Sequence, residues 1–281
     1  MCRLCDLYGD GGVWYLNPAN YSRQLYRLRR PGEKPKGPEE NPERITEAKV
    51  QEAIRIKMEE PERWEEALRE ADEHCSRVLA YQVIPLEEAK KIVHVAAPLA
   101  SMHCICRKMH SGIEETNEDE YSCLGLGVGM LKWERWPERY RGGVHFVSPE
   151  EAEEWLEKWD KRGFVHLAMT FGVPYIGGLC NCQYPDCAEL RYPLDYGFKY
   201  RDTKSHFVAE LNPELCNGCG VCAQRCQYGA LKFEPRTRKP TINMLRCWGC
   251  GLCQTGCPRG AIELMSRDSI PVLANEIGYR R

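Results

Sequence analysis

Two cysteine runs, identical in spacing and offset by 31 residues, constrain this chain more than any other feature. Cys216, Cys219, Cys222 and Cys226 form C-x2-C-x2-C-x3-C. Cys247, Cys250, Cys253 and Cys257 repeat it, followed by Pro258. Thiolates at this spacing wrap one loop around a cubane and hold three of its irons, so the fourth iron needs a ligand from another direction. Duplicated, the pattern is the framework of two [4Fe–4S] clusters, and it points to electron transfer. Cys-x2-Cys pairs also build zinc ribbons. Four thiols at this spacing, present twice, favour iron–sulfur over zinc.

Composition narrows the setting. A chain of 281 residues is long enough for one large or two to three small domains and for a real core beside the metal sites. Its net charge of −2 points to neither nucleic acid nor a membrane surface as the main partner. The start lacks the basic and apolar regions of a secretory signal, and the apolar stretch from Ile92 to Ala100 is too short to cross a membrane. A reducing, cytoplasmic compartment is therefore expected, where disulfides are rare. The 17 cysteines, an odd number, then read as metal ligands rather than a disulfide scaffold.

Residues 1–30 open with Cys2 and Cys5 in C-x2-C and end in a basic stretch, Arg23 to Arg30, better suited to a solvated or docking face than to nucleic acid. Residues 31–42 are polar and rich in Pro and Gly, the composition of an exposed linker. Asn41-Pro42 predicts a helix start and a charged helix to Met58. Pro61 restarts a second helix, with Trp64, Leu68, Ala71, Cys75, Val78 and Leu79 at helical spacing. Cys75 sits on that seam as a small hydrophobe rather than a ligand. Leu86 to Val95 reads as a third helix. Ser148 to Glu151 is a capping-box signature, starting a helix with Ala152, Trp155, Leu156 and Trp159 on one core-facing side and a stop at Gly163. A buried strand follows from Phe164 to Thr170. The runs 207–211, 230–234, 241–245 and 261–265 read as strands. Each half of the C-terminal region is thus strand, cluster loop, short helix, strand, a hairpin-like unit duplicated about a pseudo-two-fold axis. The acidic run Glu114 to Glu120 reads as an exposed loop or helix end.

Residues 207–266 resemble bacterial-type 2[4Fe–4S] ferredoxins, through Cys216-Asn-Gly-Cys219-Gly-Val-Cys222 and Cys247-Trp-Gly-Cys250-Gly-Leu-Cys253-Gln-Thr-Gly-Cys257-Pro258. The resemblance implies that the last Cys of each run crosses to the other cluster. One cluster would take Cys216, Cys219, Cys222 and Cys257, the other Cys247, Cys250, Cys253 and Cys226. Gln227 departs from the pattern, which has Pro there; an altered turn with unchanged ligation is expected.

A second cysteine field lies upstream: Cys104-Ile-Cys106-Arg107, Cys123, and Cys180-Asn-Cys182 with Cys187. Residues i and i+2 of an extended segment face the same way, so each Cys-x-Cys presents two sulfurs to one point. The glycines after Cys123 lack a nucleotide-loop context and read as a wrap around a cluster. The arrangement over residues 80–266 resembles larger prokaryotic 4Fe–4S dicluster-domain proteins, in which C-x-C-R, a downstream Cys and C-N-C precede the ferredoxin part. A third [4Fe–4S] cluster is expected on Cys104, Cys106, Cys123 and one of Cys180 or Cys182, with structural zinc as the alternative. Cys2, Cys5, Cys187 and the unused thiol of Cys180/Cys182 would complete a fourth site, iron–sulfur or zinc. His103 and His110 lie near enough in sequence to contribute.

The expected fold class is α+β: an N-terminal Cys-containing segment and linker (1–40), a helical and Cys-rich middle domain (41–205), the dicluster module (206–268) and a tail (269–281). No hydrolase triad, zincin or haem-attachment motif is present. The expected function is electron relay within a larger anaerobic oxidoreductase, with a redox protein or catalytic subunit as partner and neither nucleic acid nor a membrane span. A reductase using an open iron of the middle cluster, or a redox or iron sensor, are the competing classes.

Overall fold

In the chain's first half, Pro and Ser punctuate helices whose apolar stripes need a common surface, and a mixed sheet supplies it. The computed structural model describes residues 2–21, 42–78, 81–127, 130, 144–170 and 175–274. The basic stretch 23–30, residues 31–41 of the linker, Leu79, Val128, Gly129 and the tail beyond 274 lie outside the described residues.

Helix α1 (Arg3–Tyr8) begins directly after Cys2. α2 (Pro42–Glu59) starts at its proline. A 3-10 turn at Pro61–Arg63 leads into α3 (Trp64–Val78). Val50 and Ala53 of α2 meet Ala71 and Cys75 of α3 in a shared core with Ala188, Tyr192 and Phe198. Cys75 is fully buried there. Then come β1 (Tyr81–Ile84), α4 (Leu86–Val95), β2 (Leu99–Met102), α5 (Ile105–Ser111), β3 (Cys123–Leu126) and β4 (His145–Val147). α6 (Pro149–Lys161) carries the complete capping box: Ser148 Oγ accepts from Glu151 N at 3.1 Å, and Glu151 accepts from Ser148 N at 2.7 Å. β5 (Val165–Thr170) and β6 (Ile176–Cys182) complete the sheet centre, and α7 (Ala188–Arg191) and β7 (Asp202–Thr203) follow.

Seven strands form one sheet in the order β4-β2-β3-β6-β5-β1-β7. All neighbours are antiparallel except β1 and β7. Strand alternation divides its two faces by chemistry. Leu124, Leu126, Ala168 and Leu179 pack against α4 and α6. Val165, Leu167 and Cys182 belong to a different core, which includes Cys187, Tyr228, Cys250 and Leu252. One face thus carries helices and the other carries thiols. Trp159 is fully buried, and its Nε1 and that of Trp155 both donate to the Tyr121 carbonyl, at 3.0 and 2.9 Å. Of the glycines after Cys123, Gly125 is sheet core rather than part of a wrap: a Cβ there would lie 1.6 Å from Met130 Sδ; Gly129 lies outside the described residues.

The C-terminal part contains β8 (Phe207–Leu211), α8 (Val221–Arg225), β9 (Leu231–Glu234), β10 (Lys239–Ile242), α9 (Leu252–Thr255), β11 (Ile262–Ser266) and α10 (Pro271–Ala274). β10 begins and ends earlier than the apolar pattern predicts, because Asn243 opens a turn to Arg246. The strands do not pair within each half: β8 pairs with β11, and β9 with β10. The halves are stitched first-to-last and middle-to-middle, which brings each cluster loop against the end of the other repeat. The whole is α+β.

Candidate metal centres

Two cavities, each of about 310 Å³ including the part open to solvent, lie under the cluster loops. Cys216, Cys219, Cys222 and Cys257 line the first, with Leu211 and Ile262. Cys226, Cys247, Cys250 and Cys253 line the second, with Tyr228 and Trp248. The last thiol of each run therefore lies with the first three of the other. Gly218 and Gly249, 31 residues apart, have φ of 73° and 69° and pass so close to backbone that a Cβ would sit 2.2 Å from Arg238 O or 2.1 Å from Phe207 O. Only glycine allows that approach. The repeat extends to the sulfurs' partners. Ala230 N donates to Cys226 Sγ at 3.3 Å, and Ala261 N donates to Cys257 Sγ at 3.2 Å. Such amide bonds to sulfur tune cluster potential.

Burial differs between the two cavities. Cys219 is exposed, whereas Cys247, Cys250 and Cys253 are buried. Burial pushes the Cys253 thiol up to about 12 and Cys250 well above its ordinary value. Without a cation these thiols stay protonated; a bound metal cluster would supply the charge that makes their thiolates favourable. That couples metal loading to folding of the module. Both donor sets, four thiols around one cavity, fit a [4Fe–4S] cluster.

The module is fastened to the sheet. Arg225 of α8 donates to Leu252 O at 2.7 Å, to Asp160 O at 2.7 Å and to the Asp160 carboxylate at 3.3 Å. Gln227 accepts from Tyr184 N at 2.7 Å and donates to Gly163 O at 2.5 Å. The departure from proline thus does more than alter a turn: it bridges two parts of the chain. Next to it, Tyr228 stacks on Trp248 with ring centroids 4.9 Å apart and planes 12° from parallel. This pair lines the second cavity and shares a core with Cys182 and Cys187.

The upstream thiols converge on the sheet's second face. Cys123 sits opposite Cys180 in the β3–β6 register, and Cys182 is two residues further along. Cys104 caps α5, its Sγ accepting from Arg107 N at 3.5 Å. These buried thiols shift one another's proton affinity: the neighbouring Cys123 and Cys182 thiols hold the Cys180 thiolate at about 5. Cys106 and Cys123 likewise hold Cys104 well below its ordinary value, while Cys106, Cys123 and Cys182 are themselves pushed up by the same neighbours. A buried carboxylate clamps the field: Glu115 accepts from Cys104 N at 2.9 Å, Ser122 N at 3.0 Å, Ser122 Oγ at 2.5 Å and Arg107 Nη1 at 2.6 Å. The acidic run is therefore not wholly exposed. Nothing periodic marks Glu115; only its place between two cysteine segments hints at its role.

Cys2 and Cys5 lie apart from that field. Their sulfurs are 3.5 Å apart, and His206 Nε2 is 3.3 Å from Cys2 Sγ and 3.4 Å from Cys5 Sγ. Cys187 is beside Cys182, so the structure does not bring it together with Cys2 and Cys5; His206, which no sequence pattern marks, takes that place. Among the described residues, His103 and His110 belong to no group of three ligand atoms this close. The hydrogen bond from the Cys2 S–H holds the Cys5 thiolate at about 4, while Cys2 is pushed up by the same bond.

Comparison with known sequences agrees with this geometry. Residues 215–261 match the family described as 4Fe-4S dicluster domain. Over 77 residues, 27% of the chain, the sequence is 32% identical to a tetrathionate reductase subunit from Archaeoglobus fulgidus. The match spans 31% of that protein's length. Residues 215–261 are thus a 4Fe–4S dicluster domain, and the comparisons support an iron–sulfur electron-transfer role for this part of the chain. No helix among the described residues is long and apolar enough to cross a membrane.

Proposed function

We propose that this chain is the electron-relay subunit of a larger, anaerobic and cytoplasmic oxidoreductase, with a catalytic subunit as its partner. The observation that carries this reading is the Tyr228–Trp248 stack, which stands between the second dicluster cavity and the middle thiols. Cys216, Cys219, Cys222 and Cys257 would hold one cluster, and Cys226, Cys247, Cys250 and Cys253 the other. Cys104, Cys106, Cys123 and one of Cys180 or Cys182 would hold a third. When bound, such clusters supply one-electron carriage, at potentials set by hydrogen bonds to sulfur and by burial.

The chain's own residues supply the rest. Cys219 brings the first cavity to the surface, where Leu215 and Phe233 are exposed apolar side chains at which a redox partner can dock. Cys247, Cys250 and Cys253, which line the second cavity, are buried. Arg225 and Gln227 hold the module against the sheet, fixing the spacing between thiol fields on which electron transfer depends. The relative from Archaeoglobus is named as a subunit of a reductase, which supports a subunit role here as well.

The test is Cys104→Ser in anaerobically purified protein. Iron should fall from about twelve to about eight per chain, with the spectrum of the dicluster module intact. Unchanged iron and sulfide would remove the third cluster. Turnover of a substrate by the isolated chain would replace the relay with an enzyme.

A further inference from the structure

We propose that Cys2, Cys5 and His206 bind a mononuclear thiophilic cation, zinc(II), at a site separate from every iron–sulfur centre. Three observations carry this.

The first is spacing. Zinc bonds of about 2.3 Å to sulfur and about 2.0 Å to nitrogen, arranged tetrahedrally, place two sulfurs about 3.8 Å apart and a sulfur and nitrogen about 3.5 Å apart. The structure has 3.5 Å between the sulfurs and 3.3 and 3.4 Å from them to Nε2. Among the described residues, this is where three His, Cys, Asp or Glu ligand atoms lie within 4.8 Å of one another. The thiols around the dicluster cavities do not form such a triplet, as expected if they surround a larger object. The Cys2 group is of a size for one ion.

The second is the tautomer of His206. The Tyr15 hydroxyl donates its proton to Glu88 Oε2 at 3.1 Å. The Tyr15 hydroxyl oxygen also lies 3.1 Å from His206 Nδ1, so it accepts there and Nδ1 carries the hydrogen. Nε2 is left with its lone pair towards the two sulfurs. A hydrogen bond from the second ring nitrogen towards a carboxylate is the usual support of a metal-bound histidine; here Tyr15 relays it to Glu88. The Gln82 amide also reaches Nε2, at 3.4 Å, but donates better to Lys204 O, at 3.1 Å, while its oxygen accepts from Trp14.

The third is rigidity. Cys2 and Cys5 are buried at the N-cap and in the first turn of α1. Tyr15 stacks on the His206 ring. Arg267, fully buried, donates to the carbonyls of Ser205, Phe207 and Cys247, and its own N–H donates to His206 O at 2.7 Å. The ligands come from the N-terminal segment and from the residue just before β8, 201 positions away from Cys5. A bound ion would pin the first helix to the base of the dicluster module. With three protein ligands, the fourth position falls to water.

The experiment measures zinc and iron together on the full chain, purified anaerobically and dialysed against a weak chelator. The wild type should hold about one zinc per chain. Cys2→Ser and Cys5→Ser should each lose it while iron stays at the wild-type value; Cys75→Ser should keep both. Cobalt(II) added to zinc-depleted protein should give tetrahedral visible bands with sulfur charge-transfer absorption, absent in Cys5→Ser. Tyr15→Phe keeps all three ligands and should weaken zinc binding about 10-fold or more. The proposal fails if the wild type holds no zinc, if Cys2→Ser retains it, or if Cys2 and Cys5 prove to be joined in a disulfide. It also fails if either serine variant loses iron instead, since the pair would then ligate a cluster. Loss of the relay reading leaves this count untouched, because zinc and iron are read separately.

Discussion

Gln227 gives the sharpest test of how the dicluster module is held. Its side chain makes two good hydrogen bonds across to the middle of the chain, 2.7 Å from Tyr184 N and 2.5 Å to Gly163 O. A third contact, 3.5 Å to Cys182 O, is too long to count. At about 0.5–1.5 kcal/mol net for each bond, Gln227→Ala should cost about 1–3 kcal/mol. For a chain of this size, 1 kcal/mol moves the unfolding midpoint by about 2–4 °C, so the midpoint should fall by about 2–12 °C. Gln227→Pro, which restores the residue of the ferredoxin pattern, should fall by a similar amount. Both variants should keep full iron, because Gln227 is not a ligand. The assay is anaerobic thermal unfolding followed by circular dichroism, with iron measured on the same samples. Midpoints within a degree of wild type in both variants would refute the bridge, and iron loss in Gln227→Ala would mean the residue serves the cluster instead.

Further outcomes follow from other side chains. Glu115→Ala leaves Arg107 buried without its carboxylate and orphans two backbone N–H groups, so it should cost about 3–5 kcal/mol in denaturant unfolding and lower the iron held by the middle thiols; wild-type stability would show the clamp to be idle. His166 is fully buried, pairs with Asn181 Oδ1 at 2.6 Å, and lies 3.9 Å from Asp160, which Arg225 also holds. Burial lowers its proton affinity below the ordinary 6.5, so the folded protein binds fewer protons than the unfolded chain. Its contribution to stability is therefore fully present above pH 6.5 and is lost as pH falls below 6.5 and through the lower folded value. His166→Gln should flatten the pH dependence of stability between about pH 5 and 7, and an unaltered slope would count against the assignment. Cys75→Ser places a hydroxyl in an apolar seam and should cost about 1–3 kcal/mol with metal content unchanged; a loss of metal would make Cys75 a ligand.

What the sequence discloses about this fold follows the range of the forces involved. Pro42, Ser148 with Glu151, and the helical spacing of Leu86–Val95 act within one turn, and each marks a helix that forms where the pattern places it. The thiol spacings are local too. Cys180 and Cys182 present paired sulfurs because i and i+2 share a face of β6, whereas Cys104 and Cys106 are not in the extended segment the spacing predicts but at the N-cap and in the first turn of α5; the register of β3 against β6 then brings Cys123 to Cys180. The strand order is not legible, because pairing joins segments far apart, as in the β8–β11 ladder. Gly125 reads as part of a wrapping loop, since nothing in the sequence reveals that Met130 fills the space where its Cβ would be. Arg225, Glu115 and His206 carry no periodic or motif signal, and Gln227 shows only as a departure from the ferredoxin pattern. Their roles arise from partners such as Asp160, 65 residues from Arg225, that only the folded chain supplies.

Iron, zinc and acid-labile sulfide per chain, measured on one oxygen-free preparation, bear most directly on the central claim that the repeated thiol loops cage iron–sulfur clusters. The expected result is a brown protein with about twelve irons and matching sulfide, about eight of them surviving when the middle thiols are substituted. A colourless protein without sulfide, carrying zinc at the two repeated loops, would contradict it.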